Sequence, residues 1–262
     1  MSVLAQPSAA KQSQRTVLWI ALAYLGAVTL AELLTTFVHP QLGLVLHAVL
    51  LLVLMAHAAM TWERPHYQVL LVLIFAPLIR MLSLSLPLGR FSVVYWYFIT
   101  SVPLFAAALM AGRILNFSRR ELGLNLRRLP VQLLITVTGL GLGYLEYMIL
   151  RPKPLVKAFT LEQLWLPALI LLVSTGFSEE LIFRGLMQQA AKESLGRFSV
   201  PYVSLLFAVL HVGYRSLLDV VFVFVVAMFF GYVVEKTESL VGVTLAHGLT
   251  NIVLFLVAPF VH

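Results

Sequence analysis

Residues 171–184 read LLVSTGFSEELIFR: an apolar run that ends in two adjacent carboxylates, Glu179 and Glu180, with Arg184 four positions beyond the second. On a helix bathed in water this would be an ordinary polar edge, but in a bilayer it is a costly cluster. The rest of the chain decides which solvent applies. Of 262 residues, 61% are hydrophobic and 11% charged, and mean hydropathy is +0.96. Such a chain reads as a multi-pass integral membrane protein, expected in the cell (inner) membrane.

Apolar segments near 16–38, 41–61, 67–87, 91–114, 129–150, 162–188, 199–213, 217–234 and 240–260 mostly reach the roughly 20 residues that a bilayer core requires. Barrel strands need only about 9–11 residues, so the expected fold class is all-α: a polytopic transmembrane helical bundle of eight or nine helices. The chain divides into a polar N-terminal tail (1–15), a first set of helices (16–128) and a C-terminal core (129–262), all within one membrane domain. The apolar run after the tail is too long for a signal peptide and is expected to stay as the first span. With no cysteine, disulfides, thiolate metal sites and a cysteine nucleophile are excluded.

The net charge of +7 is explained by orientation. The richest short loop, RILNFSRRELGLNLRR, carries Arg113, Arg119, Arg120, Arg127 and Arg128 and is expected to face the cytoplasm. Lys11 and Arg15 then fall on the same side after an even number of crossings, while Arg151, Lys153 and Lys157 fall opposite, against the rule. Contact with anionic lipid headgroups accounts for the excess without nucleic acid as a partner.

A carboxylate at the centre of a membrane helix costs about 2.5–3.5 kcal/mol on insertion scales, so such groups usually face a cavity or each other. Glu180 and Arg184 are four apart and share a helix face, where they can neutralise one another. Glu179 is turned by about 100° from Glu180 and has no such local cation, which leaves it available as a base. The structural alternative is that both glutamates merely cap a helix or pair between helices. Further along, His211 ends the short run PYVSLLFAVLH, and HGLTN stacks His247 and Asn251 at i and i+4 on one face. His47 and His57 read as ordinary interhelical hydrogen-bonders. A carboxylate, a histidine, and a stacked histidine–asparagine pair on separate helices are the parts that water-activated acyl hydrolysis requires.

EELIFR (179–184), FAVLH (207–211) and HGLTN (247–251) resemble the E-E-x-x-x-R, F-x-x-x-H and H-x-x-x-N/B motifs of the CPBP family. That family comprises type II CAAX prenyl endopeptidases and bacteriocin-processing or immunity membrane proteins, also called ABI proteins. The resemblance covers the chain from about residue 129 onward; the first four segments carry no signal of it. It implies a glutamic intramembrane protease of about eight helices with its site in a cavity inside the membrane. Position by position, Glu179 resembles the catalytic glutamate and His211 the histidine that holds and activates water. His247 with Asn251 resembles the oxyanion-stabilising pair, and Glu180 and Arg184 the supporting positions. The implied substrate is a membrane-associated peptide or protein, prenylated or not: a CAAX-type, leader or sorting-signal segment. No cofactor and no metal are implied.

Three rivals remain open. A zinc peptidase would use Glu179 or Glu180 with His211 and His247 as ligands, although H-E-x-x-H is absent. A rhomboid-like serine protease would use Ser178 of GFSE with His247 as base. A non-catalytic transporter or immunity protein would keep the motifs as a polar cavity, with Glu32, Arg80 and Glu146 lining an ion path or pairing inside the bundle.

Overall fold

The computed structural model describes residues 7–62, 64 and 66–261. The first six residues of the expected polar tail and the side chain of Lys11 lie outside the described residues. The first helix, α1 (Pro7–Leu33), already begins within that tail. Proline suits the opening turn of a helix, where its missing N–H is not needed, and the alanine, lysine and glutamine that follow are good helix formers. A π-helical stretch, Leu34–Val38, extends α1.

The chain continues as α2 (Pro40–Met60), α3 (Tyr67–Leu73), α4 (Phe75–Ser85), α5 (Val93–Ile114) and α6 (Leu129–Leu150). Next comes one unbroken helical rod from Leu161 to Leu195: α7 (Leu161–Leu171), a second π stretch (Leu172–Phe177), α8 (Ser178–Glu180), a third π stretch (Leu181–Gln188) and α9 (Gln189–Leu195). The rest is α10 (Ser199–Val209), α11 (Leu217–Thr237), α12 (Val241–Ile252), a fourth π stretch (Val253–Val257) and α13 (Ala258–Val261). Eight candidate spans result among the described residues. The segments expected at 162–188 and 199–213 fall within one of them, Leu161–Tyr214, because α10 has 11 residues. At 1.5 Å per residue that is roughly 16 Å, about half of a bilayer core.

Each span buries one stripe and leaves the rest apolar. On α2 the buried positions are Gly43, His47, Leu50, Leu54 and Ala58, and on α11 Val223, Ala227, Phe230, Gly231 and Val234 are among those buried. These spacings of three and four mark one helix face. Leu52 and Val225 lie 66% and 59% exposed on the opposite side, as lipid-facing positions should.

The site-bearing helices meet through small residues, the means by which membrane helices approach closely. A Cβ on Gly139 of α6 would lie 2.2 Å from the Ala246 carbonyl oxygen of α12, and one on Gly143 2.4 Å from that of Thr250. On the other flank of α12, a Cβ on Gly176 would lie 2.7 Å from the Thr244 carbonyl oxygen. Helix α12 is thus wedged between α6 and the 172–177 stretch, with the rod's carboxylates one turn away.

The arginine-rich loop after α5 is tied to the α11–α12 connection. Leu240 N donates to the Gly123 carbonyl at 2.9 Å and Asn125 Nδ2 to that of Glu238 at 2.6 Å. Arg120 and Arg127 both pair with the Glu238 carboxylate, in exposed positions where such pairs contribute little. Among the N-terminal helices, His47 Nε2 lies 3.2 Å from Glu32 Oε1 and His57 Nδ1 is 2.8 Å from the Tyr24 hydroxyl. His57 is an interhelical hydrogen-bonder, as read from the sequence; His47 lies against Glu32 of the neighbouring helix, but neither of its buried ring nitrogens forms a hydrogen bond among the described residues.

Candidate active site

Glu179 and Glu180 sit on a single α-helical turn between two π stretches. Such widened turns cluster at functional sites because the extra residue per turn displaces side chains from regular helical positions. Within the rod, Arg184 Nη1 donates to Glu180 Oε1 at 3.0 Å, the i,i+4 pair that the spacing predicts. Both partners are buried, with side chains 2% and 0% exposed. The guanidinium also lies 4.8 Å over the Phe207 ring and donates to the Ala227 carbonyl, so its charge is neutralised by Glu180 and its position is fixed within the bundle.

His247 bridges the two carboxylates. Its Nδ1 is 2.8 Å from Glu180 Oε1. A carboxylate can only accept there, so Nδ1 carries the proton, and Nε2 faces Glu179 Oε2 at 3.8 Å. The two neighbours in sequence are therefore unlike in surroundings: Glu180 is closed in by Arg184 and His247, whereas the Glu179 side chain is 32% exposed.

Two further groups are fixed by local bonds. His211, on the turn after α10, points Nδ1 at the Phe207 carbonyl, 2.9 Å away. That oxygen accepts, so Nδ1 is the donor and Nε2 is the ring nitrogen left for a water or substrate. Asn251 Nδ2 donates to Thr175 Oγ1 at 2.8 Å, and Thr175 in turn donates to the Leu171 carbonyl. Only one of the two amide protons of Asn251 is spent this way. The Phe207 ring, 4.7 Å from His211 and 6.0 Å edge-on from His247, packs between the two imidazoles.

All six residues singled out from the motifs line one cavity of about 70 Å³. A wider cavity of about 410 Å³ reaches Glu179 and His211 from the side of α4 and α5. The two share Tyr97, Glu179, Phe207, His211 and Tyr214 as walls. Ser178 borders only the wider cavity and His247 only the smaller one, which separates the nucleophile from the base in the serine-protease reading. Among the described residues no group of three or more His, Cys, Asp or Glu side chains is arranged to hold a metal ion.

Sequence reasoning missed Thr175, Tyr97 and Tyr214 as wall residues. A hydroxyl amino acid in an apolar helix is unremarkable, and nothing in the spacing links residue 97 to residue 179. Glu146 was noticed as an intramembrane acid and proves to line the smaller cavity.

Residues 161–253 match the family model of type II CAAX prenyl endopeptidases, Rce1-like, a stretch that contains all six motif residues. The match agrees with the resemblance to the CPBP family that the three motifs carry. No curated protein and no solved structure matches the chain.

Proposed function

We propose that the protein is an intramembrane endopeptidase of the glutamic type, hydrolysing a peptide bond near a membrane-anchored segment with water activated by Glu179 and His211. The observation that carries this reading is the unequal pair. Glu180 is spent on Arg184 and His247, whereas Glu179 opens onto a cavity that His211, His247 and Asn251 also border.

The chemistry follows from what each group has left to offer. Glu179 takes a proton from a water that His211 Nε2 helps to hold, and the hydroxide attacks the peptide carbonyl carbon. The oxyanion that forms accepts from the free amide proton of Asn251 and from Nε2–H of His247, which as an imidazolium between the two carboxylates carries a proton on each ring nitrogen. Glu179 then returns its proton to the leaving nitrogen as the C–N bond breaks, so the carboxylate is regenerated. Glu180 and Arg184 hold His247 in place and keep the local charge balanced.

The test is cleavage by purified protein in lipid vesicles of an internally quenched peptide with a farnesylated cysteine three residues from its C-terminus. In ¹⁸O-labelled water the new carboxyl group should gain one heavy oxygen. A parallel comparison of the membrane proteome with and without the protein covers leader and sorting-signal substrates. If neither yields a product that depends on Glu179, the non-catalytic reading prevails. Chelation should leave cleavage unchanged, because H-E-x-x-H is absent and, among the described residues, no group of three or more His, Asp or Glu side chains is arranged to hold a metal ion. Activity removed by chelator and restored by zinc would favour the metalloprotease reading.

A further inference from the structure

The first four spans carry none of the motifs, yet one partly buried side chain ties them to the turn that bears His211. Arg80 of α4 forks onto Glu32 of α1, with Nε 2.8 Å from Oε1 and Nη2 2.7 Å from Oε2. The same Nη2 donates to the Leu210 carbonyl at 2.7 Å. Leu210 immediately precedes His211 at the end of α10, where helix carbonyls lack intrahelical partners and a cation is favoured by the helix dipole. Arg215, at the far end of the same turn, donates from Nη2 to the Thr36 carbonyl at 2.8 Å. The turn that carries His211 is thus tied at both ends to helices outside the matched segment.

We propose that Arg80, held by Glu32, is a positioning residue for His211. The His211 ring is oriented by its Nδ1 bond to Phe207, one turn back on the same helix end that Arg80 secures. Loosening the Leu210 carbonyl therefore moves Nε2 relative to Glu179, and a displacement of about 1 Å is enough to cost on the order of a hundredfold in rate. Glu32 is fully buried, as is His47 beside it, and its charge makes a guanidinium tolerable at this depth. Lysine cannot replace the arginine, because a single ammonium cannot fork onto a carboxylate and reach a carbonyl in the fixed geometry of a guanidinium.

The role assigned to His211 rests on the proposed peptidase reading, so the experiment separates the two. Full-length Arg80→Lys and the pair Glu32→Gln with Arg80→Gln are purified; the first keeps the charge balance and the second removes both charges. In ¹⁵N-histidine-labelled protein, the His211 ring signals, identified by their loss in His211→Gln, are expected to shift or broaden in both variants. Thermal unfolding of at least Arg80→Lys should stay near wild type. On the farnesylated quenched peptide, kcat should fall by about ten- to a hundredfold with KM nearly unchanged. A purely structural Arg80 would instead leave the His211 signals of the folded variants as in wild type, with cleavage per folded molecule intact, and that result overturns the proposal. Ring signals that move while the wild-type protein cleaves nothing would overturn the peptidase reading alone.

Discussion

Replacing Glu180 by glutamine leaves Arg184 charged in a bundle where both side chains are sealed from solvent. Breaking a buried pair from one side costs about 3–5 kcal/mol, so Glu180→Gln is expected to lower the unfolding temperature markedly. The pair Glu180→Gln with Arg184→Gln should recover part of that loss, since no unpaired charge remains. Cleavage should stay low, because His247 has lost the carboxylate that holds Nδ1. Denaturant or thermal unfolding in detergent checks the first half, and rates per folded molecule the second. Asn251→Leu removes the donor that the proposed mechanism gives to the oxyanion and should reduce kcat by about 10²–10³-fold. Thr175→Val keeps the shape but deletes the oxygen that orients Asn251, for which a loss of about tenfold with little change in stability is expected. Equal rates for Asn251→Leu and wild type would remove Asn251 from the mechanism. The motif residues were legible in the sequence because charges and histidines are scarce there and each has a cost in lipid. Thr175 was not, because its role exists only through a contact with Asn251 76 positions away.

Helix α12 brings His247 and Asn251 to the rod only because α6 lets it come close. Gly139→Ala and Gly143→Ala each drive a methyl group into a backbone carbonyl of α12, and overpacking of this kind costs about 1–3 kcal/mol. Gly141 lies between them with nothing within 4 Å of its would-be Cβ. Gly141→Ala is therefore expected to be neutral or slightly stabilising, as alanine is the better helix former. Unfolding temperatures of the three variants check this, and equal effects at all three positions would contradict the packing described. The four-residue spacing of Gly139 and Gly143 can be seen in the sequence, but the helix it serves cannot. The π stretches on either side of α8 are likewise invisible in the sequence, since a widened turn is decided by what packs against it. The short α10 was legible: the run PYVSLLFAVLH that His211 ends is too brief to cross a bilayer on its own.

The membrane bundle as a whole follows from composition, because a chain with so few charges has no polar surface to offer water, and each apolar run is long enough to satisfy its own backbone as a helix. What composition does not contain is how two sets of helices share one site. The motifs all lie within 161–253, while α4 and α5 supply walls of the wider cavity through Arg80, Tyr97 and Ser101. The account turns on a single carboxylate among them. The measurement that tests it most directly is the cleavage rate per folded molecule of Glu179→Gln beside wild type, in vesicles, on a peptide that the wild-type protein hydrolyses. Glutamine keeps the size and hydrogen-bonding reach of the side chain but cannot accept the proton. The rate is therefore expected to fall by about 10²–10⁴-fold or more, with unfolding temperature nearly unchanged. If Glu179→Gln instead destabilises the protein as much as Glu180→Gln while the folded fraction still cleaves at the wild-type rate, Glu179 is not the base.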